Sequence, residues 1–480
     1  MKKWTIIGSA ALFAVGACDQ SRSTAPVLQG APTAPPAGGA QVYIVNFDET
    51  RTTEDAVTNA VLATGAGVLQ FSNLSMVATL ATPDQLATIS ALPGLQGIYA
   101  NKQLQYFMLH ESVPSIRADA VHAAGITGKG IGIAILDSGI DGLYNPDVAY
   151  PQHTIQNIKV VYNQNDVFTF GKGVPRQIRK GATLFIENLP NSETSVGHGT
   201  HVAGIAAGRG TASNGYYGGV APGANLIGIG AGDVLFILFA LAGFDYILDH
   251  HEQYNIKVVN NSWGTTGAFD PHDPVNEATK KVASRGITVV FAAGNEGPGP
   301  NTLNPYSVAP WVISVAAGCK LYVADPTNSE TGCMMDDGSN PLAPTDNEPR
   351  AHVLADFSSR GIAGDPLYHP DITAPGVRIV STRSSTGIVI NALDVNRDGR
   401  FCNIATLNLP FYTCASGTSM AAPHIAGVVA LMQEAAGGQL KPDRVLQALT
   451  STAKPLPGYG SWEVGAGYVD AFAAVMAVRK

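Results

Sequence analysis

The chain has 480 residues, 45% hydrophobic and 14% charged. That balance supports a large folded core and excludes a wholly disordered polymer. A net charge of −8 and a pI near 5.7 leave no broad basic face, so nucleic acid is not an expected partner.

Lys2 and Lys3 open the chain, and residues 6–17 are almost wholly apolar or small. The run is shorter than the roughly 20 residues that span a bilayer, and residues 1–17 read as a signal peptide. Val15-Gly16-Ala17 precede Cys18. Small residues before a cysteine resemble the bacterial lipoprotein cleavage box, in which Cys18 becomes the lipidated first residue. The expected location is extracytoplasmic, either secreted or held at a membrane only through that lipid. Residues 18–40, rich in Ser, Pro, Ala and Gly, read as a flexible linker.

Residues 41–108 read as a separate small domain. Residues 42–47 form a strand run, and residues 53–63 have helical spacing with Thr52 or Thr53 as N-cap. Residues 67–80 read as two strands turning around Asn73, residues 82–91 as a second helix stopped by Pro93-Gly94, and residues 95–107 as a last strand. The order β-α-β-β-α-β is the split pattern of a small α+β, ferredoxin-like domain.

From about Val113 the pattern changes. Strand runs at 130–136, 225–230, 256–260 and 287–292 alternate with helical runs at 198–208, 234–248 and 273–285. Such alternation predicts an α/β domain, residues 109–480, with a mainly parallel sheet between two helical layers. Residues 143–193 and 320–353 read as insertions. Besides Cys18 there are four cysteines, Cys319, Cys333, Cys402 and Cys414, an even number that fits an oxidising compartment. Three pairings are open, of which the local one, Cys319–Cys333 with Cys402–Cys414, is simplest. No spacing is Cys-x-x-Cys, which argues against a metal site.

Four segments carry chemistry. Ile133-Ala134-Ile135-Leu136-Asp137-Ser138-Gly139 puts a carboxylate at the end of a buried strand, where open α/β sheets keep their sites. Gly197-His198-Gly199-Thr200-His201-Val202-Ala203-Gly204 starts a helix with an imidazole that could act as a general base. His198 and His201 could also be read as a metal pair, but no third ligand follows at a suitable spacing. Ser416-Gly417-Thr418-Ser419-Met420-Ala421-Ala422-Pro423-His424 places a hydroxyl at a helix N-terminus, where exposed N–H groups favour an oxyanion. Ala292-Ala293-Gly294-Asn295 ends a buried strand with an amide able to donate to a negative oxygen. Singly, each has a plain structural reading as a cap or a turn.

Together, and in the order Asp, His, Ser, these strings resemble the subtilisin-like serine proteases over roughly residues 113–480. The resemblance implies a secreted serine endopeptidase in which Ser419 is the nucleophile, His198 the general base and Asp137 its orienting partner. Asn295 would complete an oxyanion hole with the Ser419 N–H. Protein or peptide substrates would lie as an added strand between Gly230-Ala231-Gly232 and Ser262-Trp263-Gly264, with Ala293 and Gly294 at an open P1 pocket. Trp263 departs from the aliphatic residue frequent there, and Glu296 stands near the pocket rim. Residues 41–108 resemble the family's inhibitory propeptide, an intramolecular partner whose tail, residues 105–112, would thread the active site until the precursor cleaves itself.

No metal or organic cofactor is expected in the chemistry. Asp394-Val395-Asn396-Arg397-Asp398-Gly399 matches the first half of a calcium loop, but Ala405 stands where a bidentate Glu is needed. It reads as a solvated turn, with a structural calcium left open by the resemblance. An α/β-hydrolase esterase is excluded, because that fold needs Asp and then His after the nucleophile and only His424 follows Ser419.

Overall fold

The structure is a computed structural model. It describes residues 39–70, 76–100, 112–161, 185–233, 235, 237–319, 354–393, 402 and 404–480. These fall into two compact units divided after residue 105.

In the first unit, β1 (Gln41–Phe47), α1 (Glu54–Ala63), β2 (Gly67–Gln70), β3 (Met76–Ala81), α2 (Pro83–Ser90) and β4 (Leu95–Ala100) follow one another. The antiparallel sheet has the order β2-β3-β1-β4, as the split β-α-β pattern requires. Thr53 caps α1 by accepting from the Ala56 N–H, and Thr82 and Gln85 form a reciprocal capping box on α2. Val45, Phe47, Val57, Val61, Val77, Ala81 and Ile89 make its core. Asn73 and residues 101–111 lie outside the described residues.

The second unit begins with the short helices α3 (Ser112–Ser115) and α4 (Ala118–Ala123). There follow β5 (Gly132–Asp137), β6 (Thr154–Val160), β7 (Phe185–Ile186), α5 (His198–Ala207), β8 (Asn225–Gly230), α6 (Ile237–His250), β9 (Ile256–Asn261), α7 (Pro274–Ser284), β10 (Thr288–Ala292) and β11 (Val312–Gly318). Then come β12 (Ile372–Pro375), β13 (Ile379–Thr382), α8 (Ile388–Leu393), β14 (Tyr412–Ala415), α9 (Thr418–Ala435), α10 (Pro442–Thr452), α11 (Ser461–Val464) and α12 (Ala471–Met476).

The main sheet has eight strands in the order β12-β11-β10-β9-β5-β8-β6-β7. Every pairing is parallel except β6 with β7. Alternate side chains of β5 feed opposite layers: Ile133 and Ile135 join the core with α5 and α9, Ala134 and Leu136 the core with α6 and α7.

One expectation is corrected. Residues 143–193 are not wholly an insertion, because residues 154–160 supply β6, a strand of the main sheet paired with β8. Its Gln156 and Asn157 are polar, which hides the strand from a hydrophobicity reading. Cys402 and Cys414 are joined, and Cys319 is also disulfide-bonded. Cys333 lies outside the described residues.

Candidate active site

Asp137 is the last residue of β5, with β8 on one side and β9 on the other. The chain runs from β5 to β6 and β8 on one side and then crosses to β9, β10 and β11 on the other, so strand order reverses about β5, the place where open α/β sheets hold their sites. Glycines bring the histidine helix to this point. Gly197 precedes α5 with φ 76°, a left-handed conformation that favours glycine. A Cβ on Gly199 would stand 2.3 Å from the Gly139 carbonyl oxygen and 3.1 Å from the Asp137 Cβ, so only a bare backbone lets α5 approach so closely.

His198 Nδ1 lies 2.8 Å from Asp137 Oδ1, which also accepts from the Ser138 N–H at 2.8 Å. A carboxylate only accepts, so the ring's donor is Nδ1 and its lone pair sits on Nε2. No hydrogen bond from a described residue engages that Nε2. Burial disfavours charge on the ring, but the Asp137 charge and hydrogen bond, joined by Glu193, outweigh it. The His198 pKa is therefore raised above its ordinary 6.5.

Ser419 lies in the first turn of α9. Its Oγ donates to the Ser262 carbonyl at 2.9 Å, while Ser262 Oγ donates back to the Ser419 carbonyl at 2.8 Å. Among the described residues no hydrogen bond joins Ser419 to His198. Asn295 Oδ1 accepts from the Thr418 N–H at 2.9 Å and from the Thr418 hydroxyl at 2.8 Å. A backbone N–H can only donate, so this pair identifies the amide oxygen and leaves Nδ2 as the outward donor. A Cβ on Gly417 would stand 3.5 Å from Asn295 Nδ2 and 3.6 Å from the Ser419 backbone nitrogen. The two donors border one space that a side chain at Gly417 would occupy.

The expected substrate-flanking residues take distinct places. Gly230 ends β8 opposite Asp137, and the buried Ala231 donates its N–H to the Asp137 carbonyl at 2.7 Å. Gly232 has φ 105°. Trp263 donates from Nε1 to the Leu136 carbonyl at 2.8 Å and packs edge-on against Phe291 and Tyr306, so much of it covers core surface. Ala293 packs with Leu303 and Val308, and Gly294 donates to the Thr418 hydroxyl at 3.2 Å. A Cβ on Gly264 would lie 2.3 Å from Asn304 Cγ.

Asn304 escaped the sequence reading. Its buried amide donates to the carbonyls of Trp263 and Ala292, both at 3.1 Å, and so ties the two segments together. A lone Asn before Pro carries no signal of that role. His201 is not presented to a metal: its Nε2 faces the Ile379 and Thr413 carbonyls, and burial drives its pKa down to about 3. Among the described residues no group of three or more His, Cys, Asp or Glu is placed to hold a metal ion, and no helix is long and apolar enough to cross a membrane. Cys18 and residues 394–400 lie outside the described residues.

The profile of the Subtilase family matches residues 128–469. The chain belongs to the subtilase family. This subtilase is 28% identical over 427 residues to the Serine protease AprX of Bacillus subtilis, covering 84% of this chain and 79% of that one. It is 27% identical over 406 residues to Subtilisin E of the same species, covering 81% and 79%. Among solved structures it resembles fervidolysin from Fervidobacterium pennivorans, a keratinolytic enzyme related to subtilisin, with a TM-score of 0.51 and 22% identity over 92% of this chain and 61% of that one. Sphericase gives a TM-score of 0.50 and 24% identity over 72% and 92%. These two likenesses concern the fold. The subtilase is a serine-type endopeptidase whose chemistry needs no cofactor.

Proposed function

We propose that this endopeptidase cuts peptide bonds with Ser419 as nucleophile, His198 as base and then acid, and Asp137 as the group that orients the ring. The observation that carries the reading is the Nδ1–Oδ1 contact of 2.8 Å at the switch point of the sheet, which leaves Nε2 to take a proton. Rotation about the Cα–Cβ bond of Ser419 exchanges its bond to the Ser262 carbonyl for one to Nε2, a tightening common when substrate binds. The Ser419 Oγ then attacks the scissile carbonyl, and the oxygen that gains charge moves into the space above Gly417. There Asn295 Nδ2 and the Ser419 N–H donate to it. His198 returns the proton to the leaving amine, and water repeats the sequence to free the acyl group.

An extended protein or peptide substrate adds as a strand between Gly230-Ala231-Gly232 and Ser262-Trp263-Gly264. Its P1 side chain enters beside Ala293 and Gly294. The unit at residues 41–108 acts as an inhibitory propeptide and the enzyme releases itself from it. The chain is exported behind residues 1–17 and is anchored, if at all, by lipid on Cys18. A structural calcium is compatible with this reading but has no assigned ligands. A fluorophosphonate probe should label the processed protein on Ser419 alone. Labelling that survives in Ser419→Ala, or fails in the wild type, ends the triad reading.

A further inference from the structure

Glu193 is buried, 5% exposed, and takes no direct part in the mechanism above. Its Oε2 accepts from the Ser138 hydroxyl at 3.0 Å and from the Thr200 hydroxyl at 3.3 Å, and its carboxylate also accepts from the Gly197 N–H. These three donors bracket the acid–base pair. Ser138 follows Asp137, Gly197 precedes His198, and Thr200 lies two residues beyond it. The Ser138 oxygen in turn accepts from the Gly199 N–H at 2.8 Å, which closes a ring of bonds from the β5 terminus to the first turn of α5. Thr200 likewise accepts from the Asp141 N–H at 3.0 Å.

We propose that Glu193 is a positioning residue that locks Asp137 and His198 in register and sets the pH at which His198 becomes a competent base. The inference rests on the triad reading. A single carboxylate tied to both strand end and helix start resists sliding of one against the other. Its negative charge also favours the protonated ring.

The charged and titratable groups around it come from every neighbouring element. Asp137 ends β5, and Asp141 follows it. His201 lies on α5 and is held neutral by burial. Lys159 on β6 donates to the Ser138 and Ser192 carbonyls at 3.0 and 2.9 Å. Asp233 beyond β8 accepts from the Thr194 and Ser195 hydroxyls. Lys159 draws on both Glu193 and Asp233, so it moderates the Glu193 charge without cancelling its effect on His198.

The test uses processed enzyme from the full chain, with active sites counted by fluorophosphonate titration and kcat and KM measured on a short peptide substrate from pH 5 to 9. Glu193→Gln keeps an acceptor but removes the charge, so the acid limb of kcat/KM should move to lower pH by about half a unit or more. Glu193→Ala should lower kcat at least about tenfold with KM within about twofold. Ser138→Ala keeps the charge but cuts the link, so it should lower kcat several-fold with the limb in place.

An E193Q limb that coincides with wild type, or an E193A kcat within about twofold of it, overturns the proposal. If neither Glu193 variant folds, an unchanged kcat in S138A does so. Wild type that takes no label on Ser419 brings down the triad reading and this inference with it. Labelled wild type beside an unmoved E193Q brings down this inference alone.

Discussion

Asp137 and His198 are set among buried charges, whereas Ser419 and Asn295 are set by neutral hydrogen bonds and by the lack of a side chain at Gly417. In the first half of the site, carboxylates face a ring that burial alone would keep neutral, and the balance decides where it titrates. In the second half, Thr418 pins the oxygen end of the Asn295 amide, and the backbone of Gly417 leaves room for an oxyanion. On the proposed triad, the Asp137–His198 half is therefore expected to be sensitive to charge and pH, and the Ser419–Asn295 half to shape. His198 and Ser419 lie on different helices of one layer, while Asp137 and Asn295 follow different strands, so each half can be perturbed separately.

The largest expected effect tests whether the halves act as one machine. Ser419→Ala and His198→Ala should each lower kcat by about six orders of magnitude, and the double variant should lose little more. Losses that add in the double variant would mean the two residues do not share a step. The precursor of Ser419→Ala should also accumulate uncut in a protease-free host.

Shape is tested next. Asn295→Ala should lower kcat by about 10²–10³ with KM little changed. Gly417→Ala puts a methyl group beside both oxyanion donors and should lower kcat to a similar degree, while neither variant moves the acid limb of the pH profile. A Gly417→Ala enzyme of normal kcat would remove the oxyanion from that space.

Charge is tested by pH. The base must be neutral, and the His198 pKa is raised, so activity should fall as pH drops through a midpoint above 6.5. A midpoint below 6.5 in kcat/KM would mean that burial, not the carboxylates, governs the ring. Stability has its own acid dependence. His201 titrates near 3 when folded but near 6.5 when unfolded, so the unfolded chain binds more protons between those values. Thermal midpoints should fall as pH is lowered from about 6.5 toward 3.

The smallest effect concerns the disulfide that joins Cys402 to Cys414 on β14, just before α9. Replacing Cys402 and Cys414 with Ser opens a link with a sequence separation of 12 and should cost about 2–3 kcal/mol of stability by chemical denaturation. The acid limb should stay in place, because no charge near His198 changes.

Much of this was legible in local patterns. The β-α-β-β-α-β order of the first unit, the parallel strands of the second and the helices that start at His198 and at Thr418 each follow from periodicity, caps and glycines. The resemblance to the subtilisin-like proteases rests on four short strings, because close approach at Gly199 and Gly294 restricts which residues fit there. Other features could not be read. Gln156 and Asn157 disguised β6, and nothing around Glu193 or Asn304 marks either as a tie between distant segments.

The amino-acid order by itself determined which residues could do the chemistry and which elements carry them, because capping, periodicity and backbone freedom act over a few neighbours. Only the tertiary structure decided that Glu193 reaches both Ser138 and Thr200, that Asn304 joins Trp263 to Ala292, and that Trp263 lies on the core. Those bonds link residues brought together by the packing of strands and helices, and buried polar groups find their partners only once that packing has excluded water.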